Sequence, residues 1–151
     1  MEIIKVTDSK YLSFIVNSQI QMASETEDFS LCEKTVTQGV KEVLQDSQKG
    51  QYYICLLDKE PSACLLTLPE WSDWRCRTVL WIHSVYVLPE FRKQGIYKAM
   101  YEHLKSFVTE NDKYAGLRLY VDKTNTNAIE VYHKLGMNSN HYTLCEWMKE
   151  R

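Results

Sequence analysis

The sequence has no run approaching the roughly 20 apolar residues that a membrane span needs, and its opening, Met1-Glu2-Ile3-Ile4-Lys5, lacks the apolar core of a secretory signal. A cytoplasmic protein with no membrane partner is the expectation. No one sign of charge dominates either. The 18 Lys and Arg against 20 Asp and Glu leave a formal net charge of −2, and the basic residues form only short clusters. No field favours nucleic acid, which is excluded as a partner. Five cysteines, Cys32, Cys55, Cys64, Cys76 and Cys145, are odd in number and scattered, with no pair at the short spacing of a zinc site or redox motif. Reduced, packing thiols and no metal are expected. A cysteine nucleophile needs a histidine neighbour, and spacing puts none of His83, His103, His133 and His141 beside a cysteine. Repeats, low-complexity tracts and interdomain linkers are also missing.

What is present reads as one globular domain over residues 1–151. That length suits one hydrophobic core, and an apolar share of 44% with a charged share of 25% is ordinary for a folded protein. Ile3 to Val6 reads as a strand, followed by Asp8 as N-cap and Leu12, Ile15, Val16 and Ile20 at helical spacing. Residues 23–30 break that pattern. Ser30 with Glu33 forms a capping-box signature before Val36, Val40, Val43 and Leu44, so a second helix is expected, ending near Gly50. Tyr52 to Leu57 and Cys64 to Leu68 read as a hairpin, after which the chain pauses over residues 69–75. Arg77 to Val87 is the longest β-rich run, stopped by Pro89. From Gly95, the residues Ile96, Ala99, Met100, Leu104, Phe107 and Val108 form a helical stripe. Leu117 to Val121 is a further strand, Ala128, Val131, Tyr132 and Leu135 mark a short helix closed by Gly136, and Tyr142 to Met148 reads as a last strand. The expected order is β-α-α-β-β-β-α-β-α-β.

Two segments carry chemistry. In residues 85–98 (VYVLPEFRKQGIYK) a strand runs through a basic turn directly into a helix. Free N–H groups at a helix start, with the positive end of its dipole, make an anion site, and a glycine there lets backbone approach a pyrophosphate. Arg92, Lys93 and Lys98 add charge. Locally, an ordinary strand-turn-helix with solvated basic residues would look the same. The second segment, residues 125–137 (NTNAIEVYHKLGM), follows a strand and holds one helix.

Together the segments resemble the signature motifs of the Gcn5-related N-acetyltransferase (GNAT) superfamily: an Arg/Gln-x-x-Gly-x-Gly/Ala turn after the fourth strand and an Asn-x-x-Ala-x-x-x-Tyr-x-x-x-Gly helix. Arg92 and Gly95 match the first; Asn125, Ala128, Tyr132 and Gly136 match the second. Tyr97 departs from the pattern, standing where most members carry Gly or Ala. The resemblance implies an α/β fold of the α+β kind, with a mixed, mostly antiparallel central sheet flanked by helices. It further implies that Val85, Tyr86 and Val87 pair their backbone with the pantetheine arm of acetyl-CoA. Lys93, Gln94, Gly95, Ile96, Tyr97 and Lys98 would hold its pyrophosphate, with Arg92 nearby and Asn125 touching pantetheine or supporting the turn. Tyr132 would protonate the departing CoA thiolate, although a tyrosine on an apolar helix face is otherwise core. His83 stands where some polyamine-acetylating members carry a glutamate base; a histidine satisfied within the sheet is the alternative.

In this fold, acceptor choice comes from the loop between the first two helices and the loop before the long strand. The first holds Glu25, Glu27 and Asp28, the second Glu70, Trp71, Asp73 and Trp74. Carboxylates beside tryptophan faces suit a cationic amine, whether a small amine, polyamine, amino acid or protein lysine. The leading expectation is therefore direct acetyl transfer from acetyl-CoA to a primary amine in a ternary complex. A non-catalytic acyl-CoA sensor or interaction module is the alternative. Tyr142, Leu144, Trp147 and Met148 offer apolar surface for a homodimer.

Overall fold

The computed structural model describes residues 1–149. The chain forms two compact units, Met1–Tyr120 and a second beginning at Val121. In the first, five strands lie side by side in chain order: β1 (Glu2–Lys5), β2 (Gln51–Leu57), β3 (Glu60–Ser72), β4 (Arg77–Val87) and β5 (Tyr114–Leu119). Each neighbouring pair is antiparallel except β4 and β5, which run parallel. That parallel step is bridged by helix α3 (Ile96–Thr109), the kind of crossover a parallel pair requires.

Helices α1 (Leu12–Glu27) and α2 (Glu33–Gln45) cover one sheet face. Ile15, Val16 and Val40 pack there against Tyr52, Ile54, Leu56, Cys64, Leu66 and Tyr86, the alternate residues of three strands. On the other face Tyr53 meets His103 of α3 edge to face, with centroids 5.8 Å apart. Ile96, Met100 and Leu104 recur every four residues and are buried along α3.

Several boundaries differ from the pattern-based expectation, each for a local reason. Asp8 does cap, accepting from the Lys10 N–H, but it caps a short 3₁₀ turn, Ser9–Tyr11, ahead of α1. α1 then continues through residues 23–27, which contain neither glycine nor proline, and Thr26 Oγ1 donates back to the Met22 carbonyl at 2.8 Å. It ends only where Asp28 turns left-handed (φ 49°). The Ser30 capping box does not form. The N-cap of α2 is Cys32, which places Glu33 at the first helical position instead of the third, so it has no N-cap amide to reach back to.

β2 and β3 meet through Asp58 and Lys59, both with positive φ (49° and 72°), a two-residue connection whose twist matches the strands. β3 then runs through Pro69 to Ser72 where a pause was expected. Its ladder with β2 ends at Thr67, and an edge with one empty side accommodates a residue that has no N–H.

The second unit holds helix α4 (Thr126–Lys134). Asn125 caps its start by accepting from the Ala128 N–H at 3.1 Å. Its end is a Schellman closure: Met137 N–H donates to the Tyr132 carbonyl and Gly136 N–H to that of His133, with Gly136 left-handed at φ 87°. The strand expected over 142–148 is not there; the described residues of that segment form no strand, and Tyr142, Leu144, Trp147 and Met148 are exposed. β-propensity measures fit to a pleated, half-buried surface, and this segment pairs with no neighbouring row.

Candidate active site

The site begins with a break in a ladder. β3 pairs with β4 as Leu66 with Ser84 and then Thr67 with Ile82, so His83 is an extra residue, a β-bulge. On the other side, β5 pairs with β4 only from Thr78 to Ile82, where Leu119 is the last partner. Beyond it, residues 83–87 of β4 face no strand on that side among the described residues. His83 is exposed at the point where the strands part. The open edge coincides with Val85, Tyr86 and Val87. A backbone edge of this kind accepts an amide-bearing chain as an added strand, which is what pantetheine supplies.

β4 leads through the turn Pro89–Phe91 into α3. Lys93 (φ 62°) and Gly95 (φ 76°) are both left-handed, and Gly95 is the N-cap of α3 with no side-chain capping bond. The first intrahelical bond is from Ala99 N–H to the Gly95 carbonyl. The amides before it are therefore directed out of the helix end, where an anion would meet them. Lys93 and Lys98 are exposed beside this start. Tyr97, the departure from the family pattern, stacks on Tyr101 one turn further along α3, with centroids 6.5 Å apart and planes at 30°. Its ring runs along the helix flank.

Arg92 is engaged elsewhere. Its Nε donates to the Val87 carbonyl at 3.0 Å, its Nη2 pairs with Glu25 Oε2 at 2.6 Å, and its guanidinium lies 5.4 Å from the Tyr86 ring centre. The Tyr86 hydroxyl donates to the other Glu25 oxygen at 2.6 Å and lies 3.0 Å from the Gln21 side-chain amide. This knot ties α1 to the end of β4 and to the turn that follows. Burial, then the Glu25 carboxylate, push the Tyr86 hydroxyl up to about 12. The Tyr86 hydrogen bond, then Arg92, hold Glu25 below the ordinary carboxylate range.

In the second unit, the Asn125 carbonyl oxygen is occupied by the cap of α4, so its observed part is to shape the turn. Tyr132 is half-buried on that helix.

The acceptor residues fall into two groups. Glu25 and Glu27 lie on α1 and not in a loop, Asp28 is its C-cap, and Glu25 already carries Tyr86 and Arg92. Trp71 lies at the end of β3 and Trp74 at the turn before β4, with relative exposures of 64% and 88%; Asp73 accepts from the Trp74 amide in that turn. Of a third group, spacing named Glu70 but not its partners. Glu70 Oε2 accepts from Trp81 Nε1 and from Arg118 Nη1, each at 2.9 Å, and Trp81 stacks on Tyr120 with centroids 4.5 Å apart. Cross-strand register alone brings these residues together: Trp81 stands opposite Leu68 on one side and Arg118 on the other.

The acetyltransferase (GNAT) family matches residues 18–137, most of the chain. A relative, the N-alpha-acetyltransferase 60 of Xenopus tropicalis, is 42% identical over 66 residues, a stretch covering 42% of this chain and only 27% of that protein. Among solved structures, a possible acetyltransferase from Clostridium difficile 630 is 34% identical, with a TM-score of 0.92 over 99% of this chain and 98% of that one. An aminoglycoside N-acetyltransferase in complex with CoA shares 15% identity and a TM-score of 0.78 over 98% and 94%, a likeness of fold alone. The split sheet edge leading into a helix start with no side-chain cap sits in a fold shared with acetyltransferases. The chain belongs to the acetyltransferase (GNAT) family. Among the described residues no group of side chains is arranged to hold a metal, and no helix is long and apolar enough to cross a membrane.

Proposed function

We propose that this protein transfers the acetyl group of acetyl-CoA directly to a primary amine in a ternary complex, its two units working as one domain. The observation that carries the reading is the β4 edge, unpaired from His83 to Val87, which runs through the turn at Lys93 and Gly95 into the uncapped start of α3. Pantetheine would extend the sheet there, and the pyrophosphate would meet the first-turn amides of α3. Acetyl transfer needs the acceptor nitrogen neutral, whereas alkyl amines are mostly protonated at neutral pH. His83, exposed at the mouth of the gap, takes that proton, directly or through water. The amine attacks the thioester carbonyl, the C–S bond breaks, and the Tyr132 hydroxyl protonates the leaving thiolate. Such general acid catalysis contributes about 10²–10⁴-fold.

Arg92 serves this site as a brace, its guanidinium pairing with Glu25, donating to the Val87 carbonyl and lying over the Tyr86 ring. We place the enzyme in the cytoplasm and expect a homodimer formed through the exposed apolar residues after position 141, a point that sedimentation velocity checks. One similar protein is an N-alpha-acetyltransferase and one neighbour in fold is an aminoglycoside N-acetyltransferase, so an amine is the class to test. Calorimetric titration with acetyl-CoA, followed in the same sample by an amine screen for released thiol, tests the reading. Binding with turnover supports it. Binding without turnover on any amine favours an acyl-CoA sensor of the same fold, and absence of binding overturns the donor site itself.

A further inference from the structure

We propose that Glu70, Trp81, Arg118 and Tyr120 form an acceptor subsite for a second positive charge, making a diamine the preferred substrate class. The inference rests on the amine-acetylation reading above and deepens it.

Position comes first. Trp81 is paired with Leu68, which belongs to the core face under α1 and α2, so Trp81 and Glu70 lie on that same face, opposite α3. The donor's phosphates belong with the start of α3, which packs on the other face. An acceptor that reaches the gap between β4 and β5 without colliding with the donor therefore comes from the face that carries Trp81. Trp81 precedes His83 by two residues, about 7 Å along a strand. It precedes by one residue the last β4–β5 pair, Ile82 with Leu119. The cluster thus stands at the lip of the gap.

Chemistry comes second. Glu70 uses one oxygen, Oε2, for both Trp81 Nε1 and Arg118 Nη1, and Oε1 has no partner among the described residues. Arg118 also lies 5.8 Å from the Trp81 ring, and Tyr120 closes the stack from its side while remaining 58% exposed. Fixed from two sides, Glu70 is pre-set as an acceptor of hydrogen bonds, and the outer face of Tyr120 is an aromatic surface beside it. A carboxylate oxygen with an aromatic face is the pairing that holds an alkylammonium. A diamine placed with one nitrogen at the thioester and the other about 7 Å away, two strand residues along, would meet both.

Putrescine and butylamine, which differ by one ammonium, are the probes, and the readout is the ratio of their kcat/KM values. Being internal to each variant, that ratio is insensitive to how much protein is folded. Wild type is expected to favour putrescine by about tenfold or more, the effect of a partly desolvated ion pair with a cation–π contact. Glu70→Gln, which keeps an oxygen for Trp81 and Arg118 but loses the charge, should bring the ratio towards one. Tyr120→Ala should lower it, whereas Tyr120→Phe should preserve it. A wild-type ratio near one, or a preference that survives Glu70→Gln, overturns the subsite and leaves amine acetylation standing. Turnover on neither amine, with acetyl-CoA bound, overturns the diamine subsite, and the wider amine screen then decides the acetylation reading by itself.

Discussion

Gly95→Ala separates conformation from crowding in the turn that opens α3. Gly95 has φ 76°, and a Cβ built on it meets no atom within 4 Å. The substitution therefore costs only the left-handed penalty of an L-residue, roughly 1–2 kcal/mol. At about 2–4 °C per kcal/mol for a chain of this size, the melting temperature should fall by several degrees while the fold persists. Gly50→Ala is the control. At φ 147° its Cβ would lie 2.8 Å from the Thr67 carbonyl oxygen and 2.8 Å from Leu66 Cδ1. Backbone cannot yield as a side-chain tip can, so this variant should lose several kcal/mol and in part fail to fold. The functional reading is separate from the stability one. Gly95→Ala places a methyl group in the turn where the donor pyrophosphate would approach the backbone, so the KM for acetyl-CoA should rise about tenfold or more, with kcat much less affected. Thermal melts of both variants and initial rates against acetyl-CoA decide the matter. A Gly95→Ala protein with wild-type KM would refute the assignment of the turn, and one that melts below Gly50→Ala would refute the steric argument.

Much of the sheet was legible because its signals are local. The strand ending before Pro89, the helix opening after Gly95, and α4 between Asn125 and Gly136 are each specified by residues next to one another in sequence. Gly95 and Gly136 both take the left-handed conformations that their positions require. Boundaries that depend on partners were not legible. β3 runs past Pro69 because β2 has already ended, α1 reaches Glu27 because nothing there stops it, and no strand forms over 142–148, where nothing pairs. The same holds for the site. The turn that opens α3 is contiguous and was read directly as a turn, but the bulge at His83 and the parting of β5 after Ile82 are properties of register between strands. So is the meeting of Glu70, Trp81, Arg118 and Tyr120, which come from three strands and a strand end. Arg92 is a mixed case. Its motif position beside the turn was legible, but its pairing with a carboxylate 67 residues away in sequence was not.

Three further tests bear on the chemistry and its frame. Tyr132→Phe should lower kcat by about 10²-fold or more with the KM for acetyl-CoA nearly unchanged, and single-turnover thiol release at wild-type rate would remove the hydroxyl from the mechanism. His83→Gln should lower kcat/KM for the amine; an unaltered value assigns the proton elsewhere. The Glu25 knot makes stability depend on pH in a direction that follows from its shifts. Glu25 is held below its ordinary value of 4.5, so its contribution is in full effect above that value and is lost as the solution is acidified through the lowered pKa. Tyr86 is raised from 10.0 to about 12, so its contribution is in full effect below 10 and is lost as pH climbs from there towards 12. Between those limits both act, and Glu25→Gln removes the pairing with Arg92 that α1 uses to hold the end of β4. The difference in melting temperature between wild type and Glu25→Gln should therefore be largest near neutrality and shrink as the solution is acidified below 4.5, since a protonated carboxyl no longer pairs with the guanidinium. A difference that stays constant across that range would mean that the charge of Glu25 holds nothing, and that α1 is fixed to β4 by the apolar packing of Ile15 and Val16 alone.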